Sequence, residues 1–224
     1  MTSRHPAITV ALLGGESSGK STLAAALERH LQDIQGLRVV RVPEHLRLWC
    51  EARGRAPHAH EQADIADEQA RLIDSARRTP GVEVVIADTT ALMVAAYSAL
   101  YFQATELLEP ALAAQRACDL TLLMGLDLPW TPDGLFRDSP AVRDATDSLL
   151  RRELQGAGIA FQTVYGQGQT RLRQALRAIG TALGRPLVKD DPGLANGLRP
   201  WSCENCSDPD CEHRLFTGLL SRPS

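Results

Sequence analysis

Gly14-Gly15-Glu16-Ser17-Ser18-Gly19-Lys20-Ser21-Thr22 follows directly on the apolar run ITVALL at residues 8–13, and this join of a short apolar segment to a glycine-bounded loop decides the reading of the fold. The spacing is G-x-x-x-x-G-K-[ST], a loop whose backbone N–H groups and following helix N-terminus hold phosphate while a hydroxyl meets Mg²⁺. Lys20 and Ser21 stand where the lysine and the hydroxyl belong. All but two of the 24 basic residues are arginine, the exceptions being Lys20 and Lys189. A compact ammonium that reaches between phosphates is not replaced by a planar guanidinium, which accounts for lysine at position 20. Gly14 to Thr22 are therefore expected to bind a nucleoside triphosphate, with Ser21 on the metal.

Residues 20–34 carry Leu23, Leu27 and Leu31 on one helical face, so strand, loop and helix are all in place. A second strand is predicted over 37–42, followed after Pro43 by Glu44-His45-Leu46-Arg47-Leu48-Trp49. Residues 58–78 read as a polar helix with Ile65, Leu72 and Ile73 as its apolar contacts, and 82–87 as a third strand ending in Asp88-Thr89-Thr90. Helices are expected over 91–102, 105–117, 141–155 and 170–183, with strands over 120–126 and 159–165. Pro129-Trp130-Thr131-Pro132-Asp133-Gly134 interrupts regular structure. Such alternation predicts an α/β three-layer sandwich, a five-stranded, mostly parallel sheet with helices on both faces and ligands beyond the carboxyl ends of the strands. Every polar motif falls at such an end. Residues 1–184 form the expected nucleotide-binding domain. From Arg185 onward, Pro186, Asp190-Asp191-Pro192-Gly193 and Asn196-Gly197 disperse the periodicity, so 185–224 reads as a tail.

Hydrophobic residues make up 44% of the chain and charged ones 23%, an ordinary balance for one globular core. The longest apolar runs fall short of a membrane span, and no apolar signal segment with a small-residue cleavage site opens the chain. A cytoplasmic protein is expected. A net charge of −3 without a basic block argues against nucleic acid or an anionic membrane as partner.

Asp88, closing an apolar strand, has the position of an acid that holds Mg²⁺ directly or through water. An aspartate there also suits a helix cap. Glu44, at the end of the second strand, is placed to accept the proton of a substrate hydroxyl or to hold its sugar. Arg47, three residues on, can pair with Glu44 or with a phosphate. The segment from Trp130 to Arg143 joins an aromatic residue, Asp133-Gly134 and two arginines, Arg137 and Arg143. It reads as a lid that closes arginine over a transferring phosphoryl group. No Asn-Lys-x-Asp guanine-reading run exists, so ATP is the expected nucleotide. His58-Ala59-His60-Glu61 lacks the i, i+4 spacing of a helical zinc pair and reads as a solvated helix start.

Gly15-Glu16-Ser17-Ser18-Gly19-Lys20-Ser21, Asp88-Thr89 and Pro129-Trp130-Thr131-Pro132-Asp133-Gly134-Leu135 together resemble the kinase domain of NadR-type ribosylnicotinamide kinases, over about residues 8–183. The resemblance implies a P-loop kinase fold and transfer of the ATP γ-phosphoryl to the 5′-hydroxyl of nicotinamide riboside. It implies Lys20, Ser21 and Thr22 on phosphates and Mg²⁺, Asp88 near metal or substrate, and Asp133 and Arg137 in the lid. Catalytic roles are thus expected for Lys20, Glu44, Asp88 and Arg137, acceptor contacts for Glu44, Arg47, Asp88, Trp130 and Asp133, and a nucleotide contact for Arg143. The chain departs from the family at Pro43-Glu44-His45, where Arg-Glu-Tyr is common, and at Phe136, which separates Leu135 from Arg137. Both departures touch the acceptor side. The few residues before Ile8 leave no room for the adenylyltransferase domain of some family members, so a single activity is expected.

Cys203-x₂-Cys206-x₄-Cys211-x-His213 offers four ligands for one tetrahedral Zn²⁺. The expected cofactors are therefore ATP, Mg²⁺ and a structural zinc, and the expected partner is a small hydroxyl acceptor. An alternative is an ATP-driven switch or assembly factor that meets a protein partner through this tail.

Overall fold

The computed structural model describes residues 7–131 and 139–188. Five strands, β1 (Ile8–Leu13), β2 (Val39–Val42), β3 (Val84–Asp88), β4 (Leu120–Met124) and β5 (Gln162–Val164), form one sheet in the order β2-β3-β1-β4-β5. All neighbouring pairs are parallel. Seven α-helices accompany them among the described residues: α1 (Lys20–Arg29), α2 (His45–Arg53), α3 (Gln62–Arg78), α4 (Ala91–Phe102), α5 (Leu108–Gln115), α6 (Pro140–Gly156) and α7 (Gly168–Ala182). This is the α/β sandwich that the alternation predicts.

Strand side chains alternate between two cores, as the period of two requires. Val10, Leu12, Ile86, Leu122 and Met124 pack against Leu23, Leu27 and Leu31 and against Leu172, Leu176 and Ile179 of α7. Leu13 and Leu123 face the opposite layer of α3, α4, α5 and α6, while Val85 and Ala87 meet Ile73 and Ala76 of α3. Each fully buried leucine contributes about 1.5–3 kcal/mol. Sheet burial on both faces holds the C-terminal strand ends, and the loops on them, in fixed relation.

Several boundaries differ from expectation for local reasons. The helix over 20–34 divides at Arg29, and His30–Ile34 forms a wider π-helical turn that leaves Ile34 68% exposed. Gly36 then adopts φ +65°, which lets the chain reverse into β2. The segment from residue 58 opens as a 3-10 turn, Ala59–Glu61, before α3. The edge strand β5 is limited to the three residues that pair with β4. Leu187 is buried in the α1–α7 core and its carbonyl accepts from Gln35 Nε2 at 3.1 Å, so the chain remains on the body beyond residue 184.

Candidate functional site

The phosphate loop is shaped by backbone conformations that its sequence permits. Gly14 and Gly19 have φ +147° and +81°, and a Cβ at Gly14 would stand 2.9 Å from Met124 Cβ. No L side chain fits there without strain. Ser17 also takes a positive φ, +56°, and its hydroxyl accepts from Thr131 N at 2.8 Å. Ser18 Oγ donates to Gly15 O at 2.7 Å. Lys20 opens α1, is buried, and donates through Nζ to Gly14 O at 2.7 Å and Gly15 O at 3.0 Å. Ser21 and Thr22 are exposed at the helix start.

Arg171 of α7 completes the loop's support. Its side chain is buried, and it donates to Ser18 O at 2.5 Å and to Asp127 Oδ1 at 2.6 Å. Asp127 Oδ2 accepts from Gly166 N at 2.6 Å, so one guanidinium ties the loop to the segments after β4 and β5. Burial pulls the Arg171 pKa down, against the opposing effect of Asp127. The sequence reading missed this residue, because nothing in a helical arginine announces a partner 153 positions away.

Asp88 lies opposite Leu12 in the sheet, which puts it beside the start of the loop. It is buried, and its Oδ1 is enclosed without a hydrogen-bond partner. Thr90, and not Asp88, caps α4 by accepting from Leu92 N. Thr89 between them is fully buried at φ +94°, a costly conformation for a β-branched residue that recurs at functional sites. Gln69 holds the ends of β2 and β3 together: its Oε1 accepts from His45 N at 2.7 Å, and its Nε2 donates to Pro43 O at 3.3 Å and Thr89 O at 3.4 Å. An orphaned carboxylate oxygen beside the loop, with the Ser21 hydroxyl at the loop's end, is a hard-oxygen set that fits Mg²⁺.

A cavity of about 420 Å³ opens from the loop. Glu16 to Thr22 line one end. The remaining wall comes from Glu44, Leu46, Arg47 and Cys50 at α2, Ala56, Pro57 and Gln62 before and at α3, and Tyr97, Tyr101 and Phe102 of α4. Glu44 is the residue before α2, and Arg47 Nε lies 4.0 Å from its carboxylate. Tyr97 and Tyr101 lie one turn apart with their rings tilted by 41° and centroids 6.2 Å apart. Burial, reinforced by the Glu44 and Glu16 carboxylates, pushes the Tyr97 hydroxyl well up, so it remains a donor. Burial likewise raises the Cys50 thiol, which stays protonated. Behind the outer wall, Arg55 grips Glu61 with bonds of 2.7 and 2.8 Å, and Arg53 and Arg55 lie over the Trp49 ring at 4.7 and 4.9 Å. The Arg55 hydrogen bonds, with one from His58 N, hold the Glu61 carboxyl at about 2.

Of the residues predicted from sequence, Glu16 to Thr22, Glu44 and Arg47 meet around this cavity. Asp88 adjoins the loop without lining the cavity. Arg143 lies against the phosphate loop, its backbone O 2.9 Å from where a Cβ on Gly15 would stand, and its mostly buried guanidinium donates to Leu128 O at 2.7 Å without lining the cavity. Trp130 is half-buried with Nε1 enclosed and unpartnered, and it does not line the cavity. Asp133, Arg137, Cys203, Cys206, Cys211 and His213 lie outside the described residues. Within those residues no group of three or more His, Cys, Asp or Glu gathers to hold a metal, and no helix is long and apolar enough to cross a membrane. The aromatic wall and the two glutamines were not predicted. Tyr97 and Tyr101 are masked in sequence by the uniformly apolar α4, whose one visible signal is an aromatic cluster at its end.

A family model described as an AAA domain matches residues 9–171, from β1 to the loop-supporting arginine. Thymidylate kinase from Leifsonia xyli subsp. xyli is 28% identical over 189 residues, covering 83% of this chain and 88% of that protein. Among solved structures, NadR protein in complex with NAD and AMP-PNP aligns with a TM-score of 0.64 at 22% identity, over 84% of this chain and 51% of that one. NadR in complex with NR gives 0.65 at 21% identity, over 84% and 54%. Deoxyadenosine kinase from M. mycoides gives 0.53 at 11% identity, over 78% and 100%. The chain spans about half the length of the NadR structures, and what it shares with them is the P-loop kinase-like fold anticipated from Gly14 to Thr22.

Proposed function

We propose, from the premise that this chain belongs to the AAA domain family, that it is an ATP-dependent kinase acting on a hydroxyl of a small nucleoside or riboside. The observation that carries this reading is that one cavity is lined both by Lys20, Ser21 and Thr22 and by Glu44, Arg47 and Tyr97. Donor and acceptor held in one enclosed space gain the positioning on which phosphoryl transfer chiefly depends. The resemblance to thymidylate kinase and to NadR supports the reaction class.

Lys20 would leave the Gly14 and Gly15 carbonyls for the β- and γ-phosphates, while the loop N–H groups and the α1 N-terminus hold their charge. Mg²⁺, held by Ser21 and Asp88, would neutralise charge on the phosphates during transfer. Glu44 would accept the proton of the attacking hydroxyl, and Tyr97 would donate to the acceptor's sugar. Glu16 and Glu44 place two carboxylates on the cavity wall, and Arg47, the one arginine on that wall among the described residues, is directed at Glu44. That balance favours an acceptor without a phosphate of its own. Nicotinamide riboside, with a cationic ring for the Tyr97–Tyr101 face, is the first acceptor to test.

The test is ATP·Mg²⁺ turnover with a panel of nucleosides, nicotinamide riboside and thymidine monophosphate. One non-phosphorylated member should stimulate ATP consumption and be phosphorylated. Lys20→Ala should lower that rate roughly 10³-fold without lowering the melting temperature. Wild-type turnover in Lys20→Ala, or ATP hydrolysis that no hydroxyl compound stimulates, would sink the reading.

A further inference from the structure

We infer that Gln62 selects the acceptor, pairing through its carboxamide with a planar carboxamide or nucleobase edge at the end of the acceptor remote from the reacting hydroxyl. The inference rests on the kinase reading of the same cavity. Gln62 is 3% exposed, lines the cavity, and its Oε1 is enclosed without a hydrogen-bond partner. Buried amide carbonyls without partners are rare and costly, so one in a cavity wall points to a bound molecule that supplies the donor. The neighbouring Glu61 is already engaged by Arg55 and His58 N.

Comparison with Gln69 fixes the position. The two glutamines are seven residues apart on α3, which places them on one face about 10 Å apart along the axis. Gln69 is fully paired with backbone at the ends of β2 and β3, level with Glu44 and Thr89. Ile73 and Ala76 pack farther back along those strands, so Gln62 lies on the far side, beyond the strand ends. A sugar bearing one flat ring bridges such a span. Leu46, Pro57, Tyr101 and Phe102 supply apolar and aromatic wall for the ring, leaving Gln62 to read its edge. A carboxamide carries a donor beside its acceptor, so the group it matches offers both N–H and a lone pair. A carboxylate or a bare ring edge does not.

The experiment compares matched acceptors that differ in that edge: nicotinamide riboside with pyridine riboside, and uridine with N3-methyluridine. For wild type, the pair containing the true acceptor class should differ roughly tenfold to a hundredfold in KM, with kcat changed less. Gln62→Leu should abolish this discrimination while leaving the KM for ATP within about twofold. Gln62→Glu, which keeps a carbonyl-like acceptor, should retain part of the preference for the N–H-bearing member and serves as the second variant where Gln62→Leu lowers the melting temperature. Undiminished discrimination in both variants, or equal losses for both members together with ATP, would overturn the role. Should wild type phosphorylate none of the four, the kinase reading is decided by the wider panel, and binding of the four measured by calorimetry decides Gln62. Edge-dependent binding lost in Gln62→Leu supports the role, whereas no binding, or binding that the substitution leaves unchanged, refutes it.

Discussion

The two ends of the cavity are built by different means. The phosphate-loop end is nine consecutive residues whose groups are mainly backbone, locked by a buried arginine and by close packing at Gly14 and Gly19. The acceptor end is assembled from side chains of α2, the turn before α3, α3 itself and α4. A backbone site has its chemistry written locally, since its shape follows from which residues tolerate positive φ. A side-chain site depends on which helices the sheet brings together, and its specificity can change without disturbing the loop. Substitutions should therefore separate the two ends into ATP effects and acceptor effects.

After Lys20→Ala, the largest expected effect is at Asp88, between the two ends. Asp88→Asn should cut turnover about 10²–10³-fold, yet leave the melting temperature unchanged or raised, because the buried Oδ1 has no partner to lose. A helix-capping role would show the opposite, with stability lost and turnover kept. Glu44→Gln comes next and should lower kcat about 10²-fold with little change in the ATP KM, as measured by steady-state kinetics. Arg171→Lys should act on the other end: an ammonium cannot serve Ser18 O and Asp127 together as the guanidinium does, so the ATP KM should rise about tenfold while the acceptor KM holds. Chemical denaturation should show a loss of about 1.5–3 kcal/mol for that variant. Equal shifts in both KM values would mean that the two ends are not separable.

The same division explains what sequence made legible. Gly14 to Thr22 encode their own conformation, and alternation of apolar residues encodes the parallel sheet, so the loop, its strand and Asp88 at a neighbouring strand end could be located without coordinates. Glu44 and Arg47 were found because a strand end followed by a charged helix start is itself a local signal. Arg171, Gln69 and Gln62 escaped detection because their roles lie in partners distant along the chain, or in the lack of one. Arg143 stood out from its place in a charged loop, whereas its hydrogen bond to Leu128 O is a matter of packing that no spacing rule contains.

The smallest expected effect isolates the outer acceptor wall. Glu61 is held at about 2 against its usual 4.5 by Arg55 and His58 N, so its folded form binds the proton less readily than the unfolded chain. A depressed carboxyl adds stability that is complete above pH 4.5 and is lost as the pH falls from 4.5 toward 2. Glu61→Gln lacks this titration. The difference in melting temperature between wild type and Glu61→Gln should therefore be constant from neutral pH down to about 5 and shrink below it. Arg55 is 39% exposed, so added salt should reduce the difference further. Because Glu61 sits immediately before Gln62 and closes the turn that carries Ala56 and Pro57, Glu61→Gln should raise the acceptor KM by a few fold at neutral pH. The ATP KM should stay fixed, since Lys20 and Arg171 draw no support from this turn. A difference that persists undiminished to pH 3, or an ATP KM that moves with the acceptor's, would show the wall to be held by something other than the Arg55–Glu61 pair.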